Sequence, residues 1–448
     1  MNAQDSSARM AEVLQELYAR QPEHQVRPRL EPTKRAVELM GDPQRNYGII
    51  HVTGTNGKTS TARLIERILL EHGLRTGRLT SPHLMSFSER IVLSGEPVTD
   101  EEFIACYEEN IDLIELVDAQ LVAEGEPRLT FFEALSALAF QLFSDAPIDV
   151  LVLEVGMGGE WDSTNVADAD VAVFTDIDLD HTKSLGDTVE EIAQTKAGII
   201  KPKSLVVSSI QQESVAQIID SQAEHGVKFA GRDFFISDIT PDGYGVRFSV
   251  EGIAGNYPLV WMPIMGEHQA HNAATAIIAV ELFLGEGTRA IADEVLRAAL
   301  ADTVSPGRLH VVSKEPLVIL DGAHNPAGAR SLARAIQWQF AAPKTVGLIG
   351  ILADKDIPAT AYEFAGMFDE IVVTTAPGVR GLKAKEFAQE LTEQGGNVVL
   401  IIDDPKAAYL KALALAGQNE AALFVTGSLY LIGEILGELR EDVEDEES

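Results

Sequence analysis

The segment Tyr47–Gly73, YGIIHVTGTNGKTSTARLIERILLEHG, constrains the fold of this chain more than any other. Its apolar run Gly48–Val52 predicts a short buried strand, and Thr53–Gly57 predicts a tight loop. Lys58 and Thr59 then open a helical pattern. Loop N–H groups and a helix N-terminus bind an anion, the lysine supplies positive charge, and the threonine hydroxyl can ligate magnesium. The segment therefore predicts a phosphate-binding loop.

The match is to a variant of the strict phosphate-loop pattern, which has a glycine where this chain has Val52. An ordinary tight turn between a strand and a helix is the alternative, and glycines alone would explain such a turn. Lys58 and Thr59 directly behind a buried strand favour the phosphate-binding interpretation.

Composition limits the class of protein. The chain has 448 residues and 46% hydrophobic content, enough for two or three domains with real cores. A net charge of −34 argues against a nucleic-acid surface but not against small anionic ligands. The single cysteine, Cys106, excludes a disulfide framework. Since neither a secretory signal nor a membrane-spanning apolar run is evident, we expect a cytoplasmic monomer that binds small molecules and neither nucleic acid nor membrane.

Acidic residues follow two further predicted strands. The run Asp149–Gly156 carries Glu154 at its end, and Asp170–Ile177 leads into Asp178, Asp180 and His181. Ligands bind at the carboxyl ends of parallel strands, and a carboxylate there can hold magnesium. A salt-bridged acid, a turn or cap residue and a loop histidine remain the alternatives for these positions.

The second half of the chain alternates strand and helix patterns. Strands are predicted at 316–322, 344–352, 370–376, 397–402 and 421–427, which indicates a parallel, doubly wound sheet. The turn-rich segment 302–308, which carries Arg308, predicts a linker. We therefore predict an α/β fold with a P-loop ATPase domain over residues 1–302 and a Rossmann-like domain over 303–448. The cleft between them is the expected site.

A set of motifs occurs in order along the chain: GTNGKTS (54–60), TSPHL (80–84), ERI (89–91), EVGMGG (154–159), WDSTN (161–165), DLDH (178–181), KAGIIK (196–201), HQAHNA (268–273), SPGR (305–308) and DGAHNP (321–326). This set resembles the bacterial folylpolyglutamate synthase/dihydrofolate synthase family, within the wider Mur ligase group. Mur ligases usually carry a whole domain before the phosphate loop, whereas fewer than 50 residues precede Tyr47 here. The folate branch is therefore favoured.

The resemblance implies an ATP-dependent ligase. ATP would phosphorylate a carboxylate of dihydropteroate or a folate, and the amine of L-glutamate would attack the acyl phosphate to give an amide, ADP and phosphate. A related amide ligase with another acceptor, and a non-catalytic ATP-dependent switch module, are the competing hypotheses. The switch explains Lys58 and Thr59 but not the ordered acids, His181 and Lys196.

The resemblance also assigns roles to individual residues. Lys58, His181, Lys196 and Arg308 would be catalytic, with Lys196 carbamylated rather than a simple cation at a helix end. The nucleotide would contact Gly54, Thr55, Asn56, Gly57, Lys58, Thr59, Ser60, Asn272, Arg308, Asp321 and His324. Two magnesium sites would draw on Thr59, Ser81, Glu154 and His181, and the pterin side on Arg90, Phe132 and Asp162.

Two positions depart from the family pattern. Glu160 stands where the family commonly has arginine, a change of two charge units beside the expected pterin loop. Thr195 stands where glutamate commonly precedes the KAG motif. The first departure leaves the ATP assignment intact and bears on acceptor specificity.

Overall fold

The computed structural model describes residues 3–22, 25, 27–340 and 344–447, with side chains described up to residue 439. Its helices are α1 (Ala3–Tyr18), α2 (Glu31–Leu39), α3 (Lys58–Glu71), α4 (Asp100–Ala123), α5 (Phe131–Asp145), α6 (Thr182–Leu185), α7 (Val189–Ala197), α8 (Glu213–Gln222), α9 (Glu267–Gly285), α10 (Asp293–Ala301), α11 (Pro326–Gln339), α12 (Ile357–Ala365), α13 (Ala384–Glu393), α14 (Pro405–Asn419) and α15 (Leu429–Glu447).

The strands form three sheets. They are β1 (Gly48–Thr53), β2 (Thr76–Leu79), β3 (Ile91–Leu93), β4 (Glu96–Pro97), β5 (Val150–Glu154), β6 (Val171–Phe174), β7 (Leu205–Ser208), β8 (Val227–Phe229), β9 (Phe235–Pro241), β10 (Val246–Glu251), β11 (Asn256–Met262), β12 (His310–Lys314), β13 (Leu317–Leu320), β14 (Thr345–Ile349), β15 (Glu370–Val373), β16 (Val398–Ile401) and β17 (Ala422–Thr426).

The first sheet has the order β4-β3-β2-β5-β1-β6-β7-β8, with β3 and β4 antiparallel at one edge. Its strands β2, β5, β1, β6, β7 and β8 run parallel, so their carboxyl ends lie along one edge. Strand β1 lies between β5 and β6, in the interior of this row. Both faces of the sheet are covered by helices. Helices α3 and α9 bury one face, and α1, α2, α4 and α5 bury the other.

The second large sheet has the order β12-β13-β17-β14-β15-β16. All its pairings are parallel except that of β12 with β13. The predicted strands of the doubly wound sheet are confirmed, and β12 adds an antiparallel edge strand that the sequence reading missed. A hairpin needs only a short turn, which Glu315 and Pro316 supply.

Strand patterns recur over residues 203–265, and the structure confirms them as β7, β8, β10 and β11. It adds strand β9 and a helix, α8 over residues 213–222, that these patterns did not predict. Strands β7 and β8 are parallel neighbours, and a parallel connection requires a crossover, here α8. Strands β9, β10 and β11 form a separate antiparallel sheet.

Helix ends match the sequence signals closely. Thr130, Thr99 and Thr188 each cap a helix in a capping box with the glutamate three residues later. Residues 302–309 connect α10 to β12 without helix or strand, and all of them are described. Among the described helices, none combines the length and apolar character that crossing a bilayer requires.

Candidate active site

The phosphate loop joins β1 to α3 and depends on two glycines. Gly54 has φ +151°, and a Cβ there would lie 1.9 Å from Thr175 Oγ1. Gly57 has φ +84°, and a Cβ there would lie 2.6 Å from Asn272 Oδ1. These contacts place the loop against β6 on one side and against the start of α9 on the other. Asn272 thus lies beside the loop.

Two lysines converge on this loop. Lys58 Nζ donates to the carbonyl oxygens of Gly54 (3.1 Å) and Thr55 (3.3 Å), and Lys196 Nζ donates to that of Gly54 (2.8 Å). Burial, reinforced by the charge of Lys58, lowers the pKa of Lys196 to about 7. Burial also lowers the pKa of Lys58, although Glu154 and Asp180 oppose that shift. The loop therefore carries two ammonium groups, one of which loses its proton near neutral pH.

Oxygen ligands lie beside the loop on the β5 side. Thr59 Oγ1 is 2.9 Å and 3.1 Å from the two carboxylate oxygens of Glu154, which is buried. Burial raises the pKa of Glu154, while Lys58, Thr59, Arg308 and a backbone hydrogen bond from Ser81 oppose the shift. Hydroxyl and carboxylate oxygens are the donors that magnesium takes, so this set fits the predicted metal together with phosphate oxygens.

A metal cage made by the protein alone is not seen. No cluster of three or more His, Cys, Asp or Glu side chains capable of holding a metal exists within the described part of the chain.

The loop after β6 connects the two large sheets. Thr55 Oγ1 donates to the carbonyl of Asp178 (2.9 Å), which ties this loop to the phosphate loop. Asp180 accepts hydrogen bonds from Asn325 Nδ2 (3.0 Å) and Lys355 Nζ (3.2 Å), both beyond the linker. Burial raises the pKa of Asp180, but Lys355 and the other nearby donors outweigh it and hold the pKa below its ordinary value. Asp180 is therefore an ionised link across the cleft.

His181 follows directly and has a left-handed backbone, with φ +51°. Its side chain is 37% exposed, and its Nε2 lies 3.9 Å from Asp180 Oδ2. His181 borders a small recess together with Lys58, Lys196 and the Gly156–Gly158 turn. The structure thus brings the predicted second-metal histidine and Lys196 to one recess.

The linker and the loop after β13 form the opposite wall. Asp321 is buried and accepts hydrogen bonds from the backbone N–H groups of Leu309 and Ala323, both at 2.9 Å. Burial raises the Asp321 pKa, and the charge of Arg308 opposes that shift. Asp321 therefore fixes the loops that present Arg308. His324 Nδ1 lies 2.7 Å from the Gly322 carbonyl, and burial lowers the His324 pKa to about 3, so its ring is neutral.

A cavity of about 820 Å³ extends between these walls. Its lining comes from distant segments: 25–29, 81–82, 130–133, 156–163, 178–184, 324–330, 352–356 and 428–430 contribute residues. The cavity thus lies at the carboxyl-end edge of the first sheet, and the second domain forms its other side. Its size and mixed apolar and polar lining suit a small organic substrate.

Comparisons with known proteins agree with this geometry. The model of the Mur ligase middle domain matches residues 52–280, and that of the Mur ligase glutamate ligase domain matches 307–429. The dihydrofolate synthase/folylpolyglutamate synthase of Mycobacterium tuberculosis is 38% identical over 88% of this chain and 83% of its own length. The corresponding Bacillus subtilis protein is 34% identical over 93% and 96%.

The chain belongs to the folylpolyglutamate synthase/dihydrofolate synthase branch of the Mur ligase family. It is an ATP-dependent ligase that forms a C–N bond. The structure of M. tuberculosis folylpolyglutamate synthase complexed with ADP and AMPPCP aligns at a TM-score of 0.91, with 35% identity over 97% of this chain and 99% of that one. Escherichia coli FolC in complex with DHPP and ADP aligns at 0.83, with 28% identity over 98% of each.

The residues predicted for the pterin side of this ligase are divided between two cavities. Phe132 and Asp162 line the 820 Å³ cavity. Arg90 instead lines a neighbouring cavity of about 560 Å³, where its guanidinium lies 5.3 Å from the centre of the Phe131 ring and its Nε donates to His83 (2.8 Å). The two cavities adjoin, since Pro22, Leu352, Arg380 and Tyr430 line both.

Glu160, the departure from the family pattern, is exposed. Its backbone N–H donates to the Thr195 carbonyl (2.8 Å), so the two departing positions are neighbours. The cavity wall contains Met157 and Trp161 on either side of Glu160. The Glu160 side chain is therefore exposed to solvent and does not itself line the 820 Å³ cavity.

Three site residues escaped the sequence analysis. Lys355 lies in the loop between β14, which ends at Ile349, and α12. The strand-end rule draws attention to this loop but not to Lys355 in particular. Asn325 lies within DGAHNP but was assigned no role. Arg29 lines the cavity and forms a two-bond ion pair with Glu133 (2.9 Å for each bond). No local sequence pattern predicts a role for Arg29, since its partner Glu133 is 104 residues away.

Proposed function

We propose that this ligase adds L-glutamate to dihydropteroate, to folates or to both, through an acyl-phosphate intermediate, with ATP as the phosphate donor. The observation that carries the proposal is the 820 Å³ cavity, which lies at the carboxyl-end edge of the first sheet and is also lined by loops of the second domain. The names of the relatives point to the same acceptors, and E. coli FolC is a related structure that holds DHPP with ADP.

The chemistry follows from the poor reactivity of a carboxylate. Expulsion of oxide is prohibitive, so the acceptor carboxylate first takes the γ-phosphate of ATP, and ADP leaves. The glutamate amine then attacks the acyl carbon, phosphate departs with one carboxylate oxygen, and the amine loses a proton. Lys58 exchanges its loop carbonyl partners for the phosphates, and Arg308 adds charge from the other wall.

Magnesium, held by Thr59, Glu154 and Ser81, would neutralise phosphate charge when bound. The chain's own contribution is to orient the reactants and exclude water. Asp180 accepts hydrogen bonds from Lys355 and Asn325 and so connects the two walls of the cleft. Closure protects an acyl phosphate from hydrolysis.

Carbamylation of Lys196 is part of the proposal. A neutral amine attacks CO2 through its lone pair and releases a proton, leaving a carbamate. Lys196 is buried beside His181 and has a pKa of about 7, so its amine is available near neutral pH. The carbamate would replace a cation next to Lys58 with an anion, and the second metal position would then hold one acidic group beside His181.

The test supplies ATP, magnesium and L-glutamate with dihydropteroate or a reduced folate, and measures ADP with the new glutamyl product. Acceptor labelled with ¹⁸O in its carboxylate should transfer one label to phosphate. ADP release without any glutamyl product across the acceptor panel would contradict the proposal and favour the switch hypothesis. Product formation without ¹⁸O transfer would refute the acyl-phosphate step alone.

The remaining expectations are proposals of the same standing. We propose a monomer located in the cytoplasm, with a domain boundary between residues 302 and 303. Light scattering at several concentrations tests the monomer, and limited proteolysis within 302–309 tests the boundary.

A further inference from the structure

A histidine buried within the central strand has no place in the mechanism described above. His51 lies on β1, pairs in register with Leu153 of β5 and Ala172 of β6, and has no exposed surface. Side chains alternate between the faces of a strand, so His51 shares its face with Ile49, which packs in the apolar cluster on that side. A polar ring at such a position costs free energy unless its hydrogen bonds are met.

The ring is tied to the loop that lines the cavity. His51 Nε2 and Thr164 Oγ1 are 2.9 Å apart, and both groups are buried. Thr164 Oγ1 in turn forms a short hydrogen bond to Asp162 Oδ1. Asp162 Oδ2 accepts from the N–H of Met157 (2.8 Å). A continuous chain of hydrogen bonds therefore runs from β1 to the cavity wall.

The direction of these bonds fixes the form of the ring. Burial raises the Asp162 pKa, but the carboxylate accepts hydrogen bonds from the N–H groups of Met157 and Thr164 and from the Thr164 hydroxyl, and these bonds oppose that shift. Thr164 therefore gives its single hydroxyl proton to Asp162, and His51 must donate from Nε2–H. His51 Nδ1 is buried and lacks a partner among the described residues, as suits a neutral ring with a bare lone pair there. Burial, assisted by Lys201, lowers the His51 pKa to about 3.

The same strand face holds the cavity loop at a second point. Thr53, two residues after His51, donates from Oγ1 to the Gly158 carbonyl (2.9 Å). The next residue, Gly54, offers its carbonyl to Lys58 and Lys196. Strand β1 thus positions the phosphate loop at its end and the cavity wall along its face.

We propose that His51 is a positioning residue for the acceptor: its Nε2–H, acting through Thr164, holds the Asp162 carboxylate in the orientation that the acceptor contacts. This inference rests on the proposed function, because Asp162 is taken to face the pterin. The ligand class is a heteroaromatic with adjacent N–H donors, which a fixed carboxylate receives well. His51 therefore affects binding of the acceptor and not of the nucleotide, although it lies close to the phosphate loop in sequence.

The test compares His51→Leu and Thr164→Val, which break the chain from either end, with His51→Gln, which retains a donor. Ile49→Val is the matched control, since it trims a buried side chain on the same strand face. Both breaking variants should raise the Kd and KM for dihydropteroate about tenfold, while the Kd of a non-hydrolysable ATP analogue stays within about twofold. His51→Gln should recover most of the loss, and Ile49→Val should change neither constant.

Nitrogen NMR of ¹⁵N-histidine-labelled wild type supplies a readout independent of turnover, and should show His51 as the Nε2–H tautomer. An Nδ1–H tautomer, equal losses of nucleotide and acceptor binding, unchanged acceptor binding in the breaking variants, or a glutamine variant no better than leucine would each overturn the inference. A wild type that neither binds nor turns over any pterin acceptor refutes the proposed function instead. The histidine spectrum then decides the hydrogen-bond chain on its own.

Discussion

The two halves of the active site are built in opposite ways. The nucleotide half is local: residues 53–60 form one loop and one helix start, and the groups proposed to contact phosphate there are consecutive in the chain. The acceptor half is assembled from distant segments, so Arg29, Phe132, Asp162 and His324 meet only after the whole chain has folded. Phosphate recognition needs backbone N–H groups and charge, which a short motif supplies. Acceptor recognition needs a shaped cavity, which only tertiary packing supplies.

The largest expected effect is in the local half. Lys58→Ala should lower kcat about 10²–10³-fold, whichever acceptor is supplied, because the charge that stabilises the transferring phosphate is lost. The fold should persist, since Lys58 bonds only to its own loop. Steady-state kinetics and circular dichroism are the measurements. Lys203→Ala, an exposed lysine, is the control and should change neither. A near-normal kcat in Lys58→Ala would remove the phosphate loop from the mechanism.

The next effect concerns the Asp180–Lys355 ion pair, which connects the two domains. A double-mutant cycle with Asp180→Asn and Lys355→Met should give a coupling free energy of about 0.5–3 kcal/mol in kcat/KM, because both side chains are largely buried. The more exposed cross-domain pair Asp178–Arg330 is the control and should couple by less than about 1 kcal/mol. Equal coupling in the two cycles would mean that burial of the Asp180–Lys355 pair does not strengthen its coupling.

Sequence reasoning succeeded where structure is set by neighbours along the chain. The strand and loop before Lys58, the capping box at Thr130 and the parallel strands of the second sheet all have local or periodic causes. It failed where the cause is a distant partner. Helix α8 is required by the parallel pairing of β7 with β8, and β12 forms through its hairpin with β13.

The candidate site divides along the same line. Glu154 and the segment Asp178–His181 were singled out because parallel strands end at one edge, and that rule is independent of the fold's details. Arg90 was grouped with Phe132 and Asp162 through resemblance, and it lines a cavity that adjoins theirs. Which cavity a side chain enters depends on how loops from several segments pack, and this information is not present in any single motif.

A pH profile sharpens the description of the phosphate-loop region. The pKa of Lys196 is lowered to about 7, so the neutral amine predominates above pH 7 and is lost as the pH falls. At a fixed concentration of dissolved CO2, the neutral amine falls about fivefold between pH 7 and pH 6. Carbamate formation also releases a proton, so a carbamate that is the minor form, and the activity that depends on it, should fall by more than fivefold. NMR with ¹³C-labelled CO2 measures the carbamate directly. Lys196→Met should lack both the signal and the acid limb, and a wild type without the signal would refute carbamylation.

The smallest expected effect tests the acceptor half through one helix cap. Thr130 and Thr99 form the same capping box, with Glu133 and Glu102, so alanine at either position should lower the free energy of unfolding by about 1 kcal/mol. Only the Thr130 box supports the cavity wall, because Glu133 also receives both hydrogen bonds from Arg29. Thr130→Ala should therefore raise the acceptor KM several-fold, whereas Thr99→Ala should leave it unchanged. Denaturant unfolding and acceptor titrations measure the two quantities. If both variants raise KM alike, general loosening explains the effect, and the acceptor half is less dependent on distant packing than its geometry indicates.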